Sequence, residues 1–166
     1  MSRFFKFLVL LLVTLLLVSC KSSPFSSLST EKVLHGQVID VLDGDTIKLR
    51  SDWHVYKIRL AGIDAPEKQQ AYGMKSKLYL TQLIADRDVR INVFSCDQYG
   101  RYVGKIYLND RDINGEMIRN GYAWHYSQYD SDPVYALFML DAQRAKRGLW
   151  QDAHPTPPWN FRKGRN

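Results

Sequence analysis

Three short clusters carry charges of a kind that could work on a phosphate ester: Asp43-Gly44-Asp45-Thr46, then RLAGIDAPE from Arg59 to Glu67, then DQYGR from Asp97 to Arg101. Asp45 opens one strand-like segment and Asp64 closes another, so a meander can bring both carboxylates to the same end of a sheet. Two anionic oxygens placed together invite a hard cation such as Ca²⁺, and the backbone carbonyl of Ala65 could add a third oxygen. Glu67 follows Pro66, whose fixed φ restrains the chain and can hold the carboxylate in place. Arg59 and Arg101 complete the set, because a guanidinium donates two parallel hydrogen bonds to a phosphate where lysine offers a point charge.

Each residue also has a plainer reading. Asp-Gly is a favoured hairpin turn, and Asp43-Gly44 can make that turn while Asp45 is directed at a metal. An EF-hand fails by count: with Asp43 at position one, position twelve is His54 where a bidentate Glu is required. Arg59 alone is an outward strand charge, Arg101 alone a turn residue and Glu67 alone a surface acid; their neighbours reverse that preference. His35, His54, His125 and His154 form no close ligand pair and read as surface or packing residues.

The elements that must position this set alternate and then coil. VLHGQVIDV, DTIKLRS and HVYKIRLAGI are β-branched or aromatic segments with partial period-two alternation, and DVRINVFSC and VGKIYLND are two more, joined by a turn at Gly100. Between the third and fourth strands, Met74, Leu78, Leu80, Leu83 and Ile84 fall at approximate helical spacing. A helix over INGEMIRNG has Asp112 or Asn114 as its cap and Gly121 as its stop, and another starts at Asp132-Pro133 and is expected to run to Gly148 with Leu137, Phe138 and Leu140 in the core. Five strands with a helix after the third and two at the end predict an α+β, mainly β, fold: a five-stranded oligonucleotide-binding (OB-fold) barrel with three packed helices.

The chain has 166 residues, one domain's worth once a leader is removed. Arg3 and Lys6 precede an apolar run from Phe7 to Val18, broken by Thr14 alone, that is too short to span a membrane, which takes roughly 20 residues. Leu17-Val18-Ser19-Cys20 resembles a bacterial lipobox, which implies a lipoprotein signal peptide over 1–19, acylation of Cys20, and export to a membrane surface, the outer membrane in a two-membrane host. Ser-rich residues 20–32 read as a tether, 33–152 as the domain and 153–166 as a basic tail containing proline and tryptophan. With Cys20 acylated, Cys96 stands alone, which excludes an intrachain disulfide and a zinc cluster. Loss of Arg3 and Lys6 takes the formal charge from +6 to +4, a modest excess compatible with a polyanionic partner.

Taken in register, the three clusters, INGEMIRNGYA and the KRGLW that follows resemble the staphylococcal nuclease (thermonuclease) family from about Val33 to Trp150, and PPWNFRKG resembles the end of many bacterial members. The resemblance implies a calcium-dependent endonuclease that cleaves DNA and RNA with little sequence preference and leaves 3′-phosphate ends. It makes Asp45, Asp64 and the Ala65 carbonyl the metal ligands, with Ala65 standing where many members have threonine. Glu67 becomes the general base or water-positioning group, and Arg59 and Arg101 contact the scissile phosphate. Tyr99 lies near the nucleotide phosphate, and Tyr126 or Tyr129 stacks on the base. No protein partner is implied, and the chain is expected to act as a monomer. A non-catalytic nucleic-acid-binding barrel and a structural envelope lipoprotein are the alternatives. Retention of all five charged residues argues against the first, and the clusters themselves argue against the second.

Overall fold

The computed structural model describes residues 32–164. The expected signal peptide, the lipidation site Cys20 and the tether up to residue 31 lie outside the described residues; Lys32, its last expected residue, opens the first strand. Alternation is visible in the burial of each strand. Strand β1 (Lys32–Val41) buries Leu34 and Val38, then Val41, because a bulge between Val38 and Asp40 shifts the phase. β2 (Thr46–Ser51) buries Ile47 and Leu49, and β3 (His54–Leu60) buries Ile58 and Leu60. β5 (Asp88–Cys96) buries Val89, Ile91 and Val93, and β6 (Tyr102–Leu108) buries Ile106. The order β3-β2-β1-β5-β6 is antiparallel throughout and closes by a parallel pairing of β3 with β6, Ile58 opposite Tyr102 and Arg59 opposite Val103. Val38, Ile47, Leu49, Ile58, Ile91 and Ile106 are wholly buried in the closed barrel. Each such side chain contributes roughly 1.5–3 kcal/mol relative to exposure.

The third expected strand is interrupted. The ladder ends at Leu60, and the chain turns through Gly62 at φ 72° into a separate two-residue strand β4 (Ile63–Asp64), which pairs with β8 (Trp124–His125). Asn114 enforces the break: it is fully buried, its amide donates to the carbonyls of Ala61 (2.8 Å) and Gly104 (3.2 Å), and its oxygen accepts from the Ile106 N–H (3.0 Å). The cap of helix α2 (Ile113–Arg119) is therefore Asp112, which accepts from Gly115 N–H at 3.1 Å and which also sits in the short strand β7 (Arg111–Asp112). Gly121, at φ 71°, follows its end.

Helix α1 (Gly73–Ile84) buries Gly73, Ser76, Leu80 and Ile84, leaving Met74 and Leu78 exposed. Helix α3 (Pro133–Arg144) starts as expected, with Asp132 accepting from Val134 N–H at 2.9 Å, but ends before Gly148 because Lys146 turns left-handed at φ 49°. Its inward stripe is Tyr135, Phe138, Met139 and Ala142. Leu137 and Leu140, expected in the core, are exposed because they fall off that stripe. A 3₁₀ turn (Gly148–Gln151) then packs Leu149 and Trp150 on Ala142. The tail adds a fourth, short helix, α4 (Pro158–Lys163). No helix among the described residues is long and apolar enough to cross a membrane.

Candidate active site

The loop between β1 and β2 sets Asp45. Leu42 N–H bonds the Thr46 carbonyl at 2.8 Å, and Asp43 Oδ1 accepts from the Asp45 N–H at 3.0 Å, so Asp43 does serve the turn. Gly44 is required for a different reason from the one its dipeptide suggests. Its φ is not positive; instead a Cβ there would lie 2.0 Å from Ser76 Oγ and 2.7 Å from the Ala65 Cβ. The loop thus presses against α1 and the segment after β4, which brings Asp45 to Asp64.

Asp45 is 8% exposed and Asp64 1%. Asp45 Oδ1 accepts from the Thr46 hydroxyl (3.1 Å), and Oδ2 accepts from the Ala65 N–H (2.8 Å). Arg59 Nη2 lies 3.2 Å from Asp45 Oδ2 and 3.1 Å from Asp64 Oδ1, while Nη1 donates to the Leu60 carbonyl at 2.8 Å. Arg59 is thus a cation bridging two carboxylates. Burial raises the Asp64 carboxyl above its ordinary value even against the hydrogen bond from Arg162 and the charge of Arg59. Asp43 is pushed up to about 6 by burial and by the charge of Asp45. Both shifts come first from burial, with the charge of Asp45 adding to it.

Glu67 stands at the rim, 38% exposed, with its backbone N–H bonded to Gln70 Oε1 at 3.1 Å. Arg101 is held by the loop it closes: Asp97 accepts its backbone N–H at 3.0 Å and its Nε at 2.7 Å. An open cleft of about 830 Å³ gathers Asp43, Asp45, Arg59, Asp64, Ala65 and Glu67 with Tyr99, Arg101, Tyr126 and Tyr129. Every site residue named from the sequence within the described region therefore lines one cleft.

The three tyrosines differ in setting. Tyr99 and Tyr129 are each 73% exposed, and the Tyr99 ring lies 5.5 Å from the Arg101 guanidinium. Tyr126 is half-buried, meets Tyr129 edge-on at 4.7 Å and stacks on Trp159 at 5.3 Å with the rings 2° apart. Burial and the charge of Asp64 raise the Tyr126 phenol, which keeps it protonated. The buried His125 bonds the Asp130 carbonyl at 3.0 Å and is a packing residue.

Sequence reasoning missed Arg162. Its Nη2 donates to Asp64 Oδ2 at 2.9 Å, and its Nη1 lies 3.2 Å from Asp64 Oδ1 and 2.8 Å from Glu67 Oε1. The signals available were the basic character of the tail and the resemblance of PPWNFRKG, which contains Arg162, to the end of bacterial family members. Among the described residues no group of three or more His, Cys, Asp or Glu side chains is gathered as a metal site.

Residues 57–152 match the family described as staphylococcal nuclease homologue. An uncharacterized endonuclease of Escherichia coli O157:H7 is 45% identical over 130 residues, covering 78% of this chain and 85% of its own. An uncharacterized endonuclease of Haemophilus influenzae is 39% identical over 155 residues, covering 93% and 85%. The probable staphylococcal-like nuclease CAN2 of Oryza sativa subsp. japonica is 45% identical over 108 residues, 65% of this chain and 29% of that one. Asp45 and Arg162 fall outside the 57–152 span.

Proposed function

The chain belongs to the staphylococcal nuclease family and is a nuclease, and we propose that it is a calcium-dependent endonuclease that cleaves DNA and RNA with little sequence preference and leaves 3′-phosphate ends. The observation that carries this is the approach of two buried carboxylates, one from the loop before β2 and one from β4, bridged by Arg59 in the cleft that also holds Glu67 and Arg101.

The donor set fits a hard divalent ion. It is all oxygen, it is buried, and it already shares one cation between Asp45 and Asp64. Asp45, Asp64 and the Ala65 carbonyl would hold Ca²⁺, which when bound supplies stabilisation of the negative charge that accumulates on the phosphate oxygens. Glu67, fixed on its backbone side by Gln70 and with its carboxylate at the cleft rim, orients the attacking water and takes its proton at a carboxylate oxygen. Arg59 and Arg101 donate to the non-bridging oxygens, and Arg101 also favours departure of the 5′-oxygen. Asp97 aims Arg101 by holding its Nε edge. Tyr129 and Tyr126 offer ring faces to a base; such stacking contributes about 1–3 kcal/mol per base and accepts any base.

The export reading follows from the leader. The protein would be anchored through an acylated Cys20, with residues 21 to 31 as its tether, and would act as a monomer on extracellular or periplasmic nucleic acid. Digestion of single-stranded DNA with and without EGTA tests the metal: activity that disappears in EGTA and returns with excess Ca²⁺ is expected, and activity persisting in EGTA would end the calcium reading. Products that become substrates for 5′-to-3′ ligation without phosphatase treatment would exclude 3′-phosphate ends.

A further inference from the structure

We infer that Arg162 is a further positioning residue of this site: a resident cation that holds Asp64 and Glu67 and that the metal has to displace, so that helix α4 sets the affinity of the site for its ion. The inference rests on the calcium reading above.

Both oxygens of Asp64 are already committed. Oδ1 lies 3.1 Å from Arg59 Nη2 and 3.2 Å from Arg162 Nη1, and Oδ2 takes Arg162 Nη2 at 2.9 Å. Glu67 Oε1 takes Arg162 Nη1 at 2.8 Å. The guanidinium therefore occupies lone pairs that an ion ligated by Asp64 would need. Its side chain is 42% exposed where that of Asp64 is 2%, so of the two it is the arginine that can swing out of the mouth.

This differs from an ordinary surface pair, whose worth is near zero. The fork lands on a carboxylate that is nearly inaccessible, where a bidentate guanidinium has geometric as well as electrostatic preference. The helix that carries it is pinned. Gln70 Nε2 donates to the Thr156 carbonyl at 2.5 Å, Pro158 is buried, and Trp159 lies flat on Tyr126 and edge-on to Trp124 at 5.6 Å. The Gln70 that fixes the Glu67 backbone also fixes the tail, so one side chain aligns the glutamate with the arginine that holds it.

Charge gives the direction. A guanidinium seated on Asp64 and Glu67 repels a divalent ion brought to the same carboxylates and fills the oxygens it would use, so one of the two arginines must give way. Arg59 is the more enclosed, its side chain 14% exposed and its Nη1 tied to the Leu60 carbonyl, so Arg162 is the one to go.

Isothermal titration of CaCl₂ into the metal-stripped full chain tests this, with circular dichroism confirming that each variant is folded. Arg162→Ala is expected to bind Ca²⁺ about tenfold more tightly than the wild type, and Arg162→Lys, which keeps the charge without the fork, to fall between them. Should Arg162→Ala not fold, Trp159→Ala, which loosens the helix without touching a carboxylate, is expected to tighten binding in the same direction. Affinity unchanged or weaker in the folded variants overturns the inference and leaves the calcium reading standing. Absence of Ca²⁺ binding in wild type and variants alike overturns both.

Discussion

Arg59 Nη2 sits 3.2 Å from a carboxylate oxygen of Asp45 and 3.1 Å from one of Asp64, residues that arrive from the loop before β2 and from β4. One nitrogen thereby joins two elements that form no ladder with each other, and its companion nitrogen is anchored on the Leu60 carbonyl. Lysine carries the charge but not the fork. Arg59→Lys is accordingly expected to lower kcat about 10²-fold or more, measured by steady-state digestion of single-stranded DNA, because a preorganised donor to the phosphate is lost.

Glu67 separates catalysis from stability. Its side chain stands at the rim and the segment is held through its backbone N–H. Glu67→Gln should reduce kcat by about 10²–10⁴, the usual contribution of a general base. Denaturant unfolding of the same variant should cost no more than about 1 kcal/mol, the scale of the half-exposed Arg162–Glu67 pair that it neutralises. Wild-type turnover would remove Glu67 from the mechanism.

At Gly44 the expected defect is steric. The added methyl of Gly44→Ala meets Ser76 Oγ and the Ala65 Cβ, so the variant should lose about 1–3 kcal/mol by urea unfolding, as overpacked sites do. Ser76→Gly has a cost of its own, since Ser76 Oγ donates to the Tyr122 carbonyl at 2.6 Å, but in a double-mutant cycle the pair should lose less than the sum of the two single changes. If the defect were one of φ, the two losses would simply add.

Asn114 closes the barrel's polar seam. Asn114→Ala leaves the Ile106 N–H and the Ala61 carbonyl without their buried partner, while the Gly104 carbonyl keeps the Ala61 N–H, and a loss of about 3 kcal/mol is expected in chemical denaturation. Activity should fall too, since the break at Ala61 sets the direction in which Asp64 leaves β3.

Acid sensitivity has an identifiable contributor at α3. The hydrogen bond from Lys105 holds the Asp132 carboxyl below the ordinary value, outweighing burial. A depressed folded pKa gives stability that is present above about pH 4, the unfolded value, and lost as pH falls through the folded one. Asp132→Asn retains a capping side chain but not the charge, so its Tm should decline less steeply than wild type below about pH 4.

Much of this was legible because strand chemistry is local. Alternation in TIKLRS or DVRINV announces a half-buried strand, and the charged clusters interrupt it where the site lies. What escaped depends on residues distant in sequence. Nothing in RLAGID shows that Asn114 will terminate the ladder at Leu60. Leu137 and Leu140 look like core until Tyr135, Phe138 and Ala142 fix which side of α3 turns inward. Gly44 reads as a turn glycine, yet its constraint comes from Ser76 on a helix the dipeptide cannot reveal. Arg162 sits in a six-residue helix of a proline-containing tail, too short for periodicity, and its partners lie 98 and 95 positions away.

The parallel pairing of β3 with β6 places Arg59 opposite Val103, two residues beyond Arg101. The two arginines assigned to the phosphate are thus brought to one cleft by the ladder that closes the barrel. That contact joins segments far apart in the chain, the kind that forms slowly and late because the intervening loop must be closed first. Competence to cut is therefore tied to completion of folding: a chain still unfolded carries every charged residue of the site but no assembled blade.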